Sequence, residues 1–116
     1  VGLTEKEATE QGLPFVVGMR EYAGTAYGWA LVDSTSFAKV LVNSETGSII
    51  GAHIIGQQAA SLIQPIVQAM EFDQPAADVA RGVFYIHPAL TEVVEQLLLE
   101  VPHAPSTGGK FKPWEG

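Results

Sequence analysis

The sequence predicts an α+β fold: an antiparallel sheet of three to five strands, with one helix before it and three after it. Three observations carry that expectation. A helix-capping signal opens the chain. Two β-rich runs flank a glycine-ended turn between residues 37 and 55. From Gln58 onward the apolar residues recur at helical spacing and stop alternating.

Thr4-Glu5-Lys6-Glu7 is a capping box, in which the threonine oxygen can accept the amide three residues on. The helix it starts should run to about Gln11 and stop at Gly12. Phe15 to Tyr22 is rich in β-formers and is expected as a strand. Ala23 to Ser36 is rich in glycine and aromatic residues and gives no clear period; Tyr27 and Trp29 there are expected as packing residues. Phe37–Asn43 and Ser48–Ile55 are the clearest strands, joined by Ser44-Glu45-Thr46-Gly47 with glycine where positive φ is needed. The second of them is apolar on both faces except at His53, the pattern of a central strand covered on both sides.

Gln58 to Phe72 should be a helix, with Ala59, Leu62, Ile63, Ile66, Val67 and Met70 on one stripe. Pro65 removes a ladder hydrogen bond and should kink it. The stripe suits a core or a subunit contact equally, and Gln57, Gln58, Gln64 and Gln68 suit either interface hydrogen bonds or a wet face. Pro75 should begin a short helix that ends at Gly82. Val83–Ile86 is short and extended. Pro88 to about Val101 should form the last helix, with Leu90, Val93, Val94, Leu97, Leu98 and Val101 on its apolar stripe. Residues 1–101 are thus expected as one domain, and 102–116, which lack periodicity, as a disordered tail.

Composition narrows the function. A chain of 116 residues, 47% hydrophobic, supports a single core. A net charge of −7 disfavours nucleic-acid and anionic-membrane binding, which call for basic patches. The absence of cysteine removes disulfides, thiolate metal sites and thiol chemistry by this segment itself. No apolar run is long enough for a transmembrane helix, and no basic-then-apolar leader is visible, so a cytoplasmic location is expected.

The chemistry concentrates in Tyr85-Ile86-His87-Pro88-Ala89-Leu90-Thr91-Glu92. An imidazole stands at the mouth of a helix, with a carboxylate five residues on that can orient it. No nucleophile, glycine-rich phosphate loop or second catalytic group accompanies the pair. The economical inference is that His87 acts on chemistry supplied by another chain or another domain. Proline at a first helical position and an acid in a first turn also favour a helix start without any function. His53 is expected as a hydrogen-bonded core or interface histidine. His103 is expected in water, and Glu5, Glu7 and Glu10 as a solvated helix face. Nothing gives His53, His87 and His103 metal-ligand spacing, so no metal site is expected.

Val1-Gly2-Leu3-Thr4-Glu5, Gly51-Ala52-His53-Ile54-Ile55-Gly56 and His87-Pro88 with Glu92 together resemble one family. It is the C-terminal dimerisation domain of the FAD-dependent pyridine nucleotide-disulfide oxidoreductases, which include glutathione reductase and dihydrolipoamide dehydrogenase. The resemblance spans about residues 1–101. Within the family, Tyr27-Gly28-Trp29-Ala30, Ser61-Leu62-Ile63-Gln64-Pro65, Gln68-Ala69-Met70 and Ile86-His87-Pro88-Ala89-Leu90 are most similar to the mycothione reductase branch. Dihydrolipoamide dehydrogenase-type domains, or a standalone oligomerisation module without catalysis, are the alternatives.

The resemblance implies a homodimer in which NADPH, FAD and a cysteine pair deliver electrons to a low-molecular-weight disulfide. His87 would reach the partner subunit's active site as acid and base, which suits an imidazole because it titrates near neutrality. Glu92 would fix its tautomer. The His87-Pro88 peptide would be cis, and His87 and Pro88 would contact the flavin. The dinucleotide fingerprints and the cysteine pair of such enzymes are absent here, so the segment alone is expected to bind no cofactor and to be inactive.

Overall fold

A computed structural model describes residues 1–24 and 35–101. Helix α1 covers Glu5–Glu10, and the Thr4 hydroxyl oxygen accepts the Glu7 amide at 3.2 Å as the capping box requires. The chain leaves α1 through Gly12 at φ +69°. Strand β1 (Phe15–Glu21) runs into a 3-10 turn at Tyr22–Gly24, so Tyr22 lies just beyond the expected strand. Strands β2 (Phe37–Asn43) and β3 (Ile49–Ile55) follow, and the sheet is antiparallel in the order β1-β2-β3. At the β2–β3 turn the Asn43 carboxamide oxygen accepts the amides of Glu45 and Thr46, at 2.9 and 3.1 Å, and Gly47 takes φ +78°. Tyr27 and Trp29, and the tail from Pro102 on, lie outside the described residues.

Among the described residues the central strand is β2, where the sequence pattern led to the expectation that β3 is central. The reason lies in the first three residues. Leu3 donates its amide to Ile50 O at 2.9 Å, and Ala52 donates to Val1 O at 3.0 Å. This arm lies along the outer edge of β3 and satisfies part of its backbone. It passes so close that a side chain on Gly51 would collide with the Leu3 carbonyl. An edge strand covered in this way carries the apolar pattern of an interior one. A register irregularity between Leu41 and Val42 sets Val42 opposite Ile49 and Leu41 opposite Gly51.

The helices that follow β3 pack on one face of the sheet. The expected helix from Gln58 to Phe72 is divided into α2 (Ala59–Leu62) and α3 (Gln64–Glu71). The division falls at Ile63, beside Pro65, which has no amide to continue the ladder. Helix α4 (Ala76–Arg81) follows, and Pro75 precedes it as an extended N-cap at ψ 151°; it is not the first helical residue. Pro75 forms an isolated bridge with Ser48, and Ala76 donates to Gly47 O at 2.9 Å, which ties α4 to the β2–β3 turn. Gly82 does cap α4, in a right-handed conformation. The last helix, α5 (Glu92–Leu99), starts four residues later than expected.

The core lies between the sheet and these helices. Ala38, Val40 and Val42 from β2 meet Leu62, Ile66, Val93, Val94, Leu97 and Leu98. Of the α2–α3 stripe, Leu62 and Ile66 are buried in the core and Ile63 and Met70 pack half-buried against it, Ala59 and Val67 are half-buried, and Gln57, Gln58, Gln64 and Gln68 are exposed. Burial of this kind contributes about 1.5–3 kcal/mol per large aliphatic side chain. Gly18 admits α5 closely, since a Cβ there would lie 2.9 Å from Val101 and 3.0 Å from the Leu97 carbonyl. The opposite face is partly covered by α1. Ala8 and Leu41 are fully buried outside the main core, and Glu5 pairs with Lys39 at 2.9 Å. Val17, Met19 and Ile55 remain exposed.

Candidate functional site

Residues 83–91 connect α4 to α5 without regular secondary structure. Their apolar side chains divide by position. Val83, Phe84 and Ile86 are exposed, whereas Tyr85 packs against the core and Leu90 is buried in it. The segment is therefore pinned at two points, with His87 and Pro88 projecting between them. The His87-Pro88 peptide is cis. The turn after it is closed by Glu92 N→Ala89 O at 3.1 Å and Val93 N→Leu90 O at 2.9 Å, so the backbone becomes helical only at Glu92. That is why α5 does not begin at Pro88.

Glu92 thus stands at the first position of α5 and reaches back over the turn. Its Oε1 lies 2.7 Å from His87 Nδ1, and its Oε2 accepts the Ala89 amide at 3.1 Å. The helix start favours the negative charge there. The two partners differ sharply in exposure. The His87 side chain is 69% exposed and that of Glu92 only 11%. A carboxylate offers acceptors only, so Nδ1–H is the donor and Nε2 is left for an outside group. Chemically this is an oriented imidazole that can take a proton at Nε2 and return it, with its cationic form facing a fixed carboxylate.

His53 donates from Nε2 to Leu3 O at 3.1 Å and serves the N-terminal arm. Among the described residues no three His, Asp or Glu side chains form a metal-binding group. His103 lies outside the described residues. Glu5 is engaged with Lys39, while Glu7 and Glu10 lie on the exposed face of α1. Two parts of the site escaped the sequence reading. The Ala89 amide holds the second carboxylate oxygen, and its spacing of three residues from Glu92 was the available signal. Tyr85 anchors the segment, and a lone inward aromatic in a short extended run gives no signal by itself.

The chain resembles known proteins over most of its length. Residues 1–98 match the family described as pyridine nucleotide-disulphide oxidoreductase, dimerisation domain. Mycothione reductase of Mycobacterium tuberculosis is 50% identical over 99 residues, which cover 85% of this chain and 22% of that enzyme. The mitochondrial dihydrolipoyl dehydrogenase of Schizosaccharomyces pombe is 33% identical over 99 residues, 85% of this chain and 19% of that enzyme. The flavoprotein disulfide reductase RclA of Escherichia coli superposes with a TM-score of 0.81 at 24% identity, over 88% of this chain and 23% of that one; it bears on the fold alone. The chain therefore spans about a fifth of the length of the curated relatives it matches. With its antiparallel sheet, its helical face and this match over residues 1–98, the chain belongs to the dimerisation-domain family of the pyridine nucleotide-disulphide oxidoreductases.

Proposed function

We propose that this chain is the dimerisation part of a mycothione reductase-like enzyme and lends His87 and Glu92 to the partner subunit's active site. The observation that carries the proposal is the 2.7 Å contact between a nearly buried carboxylate and an exposed imidazole. A structural ion pair has no need to present the ring to solvent. An acid-base pair serving a neighbouring subunit does. The 50% identity to mycothione reductase supports a low-molecular-weight disulfide as the substrate, reduced at the expense of NADPH. A dihydrolipoyl dehydrogenase-type activity is the second reading, supported by the 33% identity to that enzyme.

His87 Nε2 accepts the proton of the attacking thiol, since the thiolate is the nucleophile. The thiolate forms a mixed disulfide with one substrate sulfur as the substrate S–S bond breaks, and the departing sulfur takes the proton back from the imidazolium. Glu92 receives the Nδ1–H throughout and stabilises the charged ring without taking its proton. The exposed Ile86 and Pro88 beside the imidazole fit an apolar ring system, so His87 and Pro88 are the residues of this chain that would meet a flavin. FAD bound mainly by the rest of the enzyme would relay electrons from the nicotinamide to a cysteine pair. Exposed Val83, Phe84 and Ile86 supply apolar surface for a homodimer contact close to the site. Residues 1–101 would be the folding unit and the cytoplasm the location. Among the described residues no helix is long and apolar enough to cross a membrane.

The test is His87→Ala in the complete enzyme. Disulfide reduction should fall by about 10²-fold, the scale of general acid-base catalysis, with flavin reduction by the nicotinamide unchanged. Equal turnover would remove His87 from the mechanism. Parallel assays with mycothiol disulfide and dihydrolipoamide separate the two substrate readings. Light scattering over a range of concentrations tests the contact, and a chain that stays monomeric would leave the dimer to the other domains.

A further inference from the structure

Tyr85 is the one side chain of the 83–87 run that points into the core; the other four are exposed. Its hydroxyl donates to Val79 O at 2.8 Å. That carbonyl belongs to the last turn of α4, where helix carbonyls lack partners further along the helix. The phenol therefore closes the C-terminal end of α4 and, by the same bond, fixes the backbone two residues before His87. Burial, with the Glu95 carboxylate nearby as a second cause, holds the phenol well above its ordinary titration range, so it remains a donor. Across the site, Glu92 fixes the imidazole from α5. The His87 ring is thus referenced to two helices, to one through its own Nδ1 and to the other through the main chain leading into it.

We infer that Tyr85 is a positioning residue for His87, acting through its hydrogen bond to the end of α4 and not by contact with any reacting group. This rests on the acid-base role proposed above. Small displacements of an acid-base group are costly in rate because the proton must pass along a short, aligned path. Tyr85→Phe keeps the ring in the core and removes only the hydroxyl, so it separates positioning from packing.

The experiment is a double-mutant cycle in the complete enzyme with Tyr85→Phe, His87→Ala and the pair, following the two half-reactions separately. Tyr85→Phe should slow the disulfide half-reaction about fivefold or more and leave flavin reduction within about twofold. In the His87→Ala background the same change should have no further effect on the disulfide half-reaction, because Tyr85 acts through the imidazole. An equal loss in both backgrounds, or a loss in both half-reactions, would make Tyr85 a structural residue only. An unchanged disulfide rate in Tyr85→Phe, with His87→Ala still impaired, would also overturn the inference while leaving the acid-base role intact. If His87→Ala itself is unimpaired, the acid-base reading fails first, and the two failures are told apart.

Discussion

Two irregular segments lie on this scaffold and are held by opposite means. The N-terminal arm, residues 1–3, is attached chiefly through backbone. It bonds to Ile50 and Ala52, and its path requires Gly51 to have no side chain. The segment 83–91 is attached chiefly through side chains, with Tyr85 on α4, Glu92 on His87 and Leu90 in the core. A backbone attachment fixes position regardless of what most of the side chains are. A side-chain attachment fixes a particular group in a particular direction. The arm completes a sheet edge, which requires only the first. The acid-base role proposed for His87 requires the second.

Substitutions sharpen that contrast. Gly51→Val should be the most damaging to the arm. Its Cβ would strike the Leu3 carbonyl, and overpacking of this kind costs about 3 kcal/mol at its upper end. A lower denaturation midpoint would report it, and an unchanged midpoint would mean the arm is not fixed as described. Glu92→Gln should be milder for stability and, in the complete enzyme under the proposed role of His87, should slow disulfide reduction about tenfold, since it disturbs the orientation of the imidazole and leaves the imidazole itself in place. If only stability falls, Glu92 is merely a cap on α5. Alkaline titration probes the other anchor. A phenol whose folded pKa is raised keeps its proton while the unfolded chain loses it, so stability present below about pH 10 declines as the pH rises further. In Tyr85→Phe the pH dependence of unfolding should lose a contribution that grows from near zero at about pH 9 towards one proton's worth of slope at about pH 11. Lys39→Ala should be the smallest effect, about 0.5 kcal/mol or less, because its partner Glu5 is half exposed. A larger loss would show that α1 depends on that pair.

The sequence anticipated what local chemistry decides. The capping threonine, the Gly47 turn, the strand pair and the helical stripes all arise from neighbours in sequence, and all are present. Among the described strands β2 and not β3 is central; apolarity on both faces does not reveal whether another strand or a three-residue arm covers the edge. The sequence pattern began the last helix at Pro88 because proline favours a first helical turn, whereas the turn bonds from Glu92 to Ala89 and from Val93 to Leu90 delay the helix to Glu92. The His87 and Glu92 pair was visible from its spacing. The shielding of one partner and exposure of the other were not, because they depend on how α4 and α5 pack.

The closeness of Gly18 to Val101 and Leu97, with Arg20 bonded to Glu100 at 3.0 Å, brings the first strand against the last helix. A chain emerging from the ribosome makes β1, β2 and β3 early, and Leu62 and Ile66 can then cover part of the inner side of that sheet, but the part that meets the last helix stays uncovered until residues 92–101 are synthesised. The core is therefore completed late, and until then the side of the first strand that faces the last helix is the surface that chaperones would have to shield.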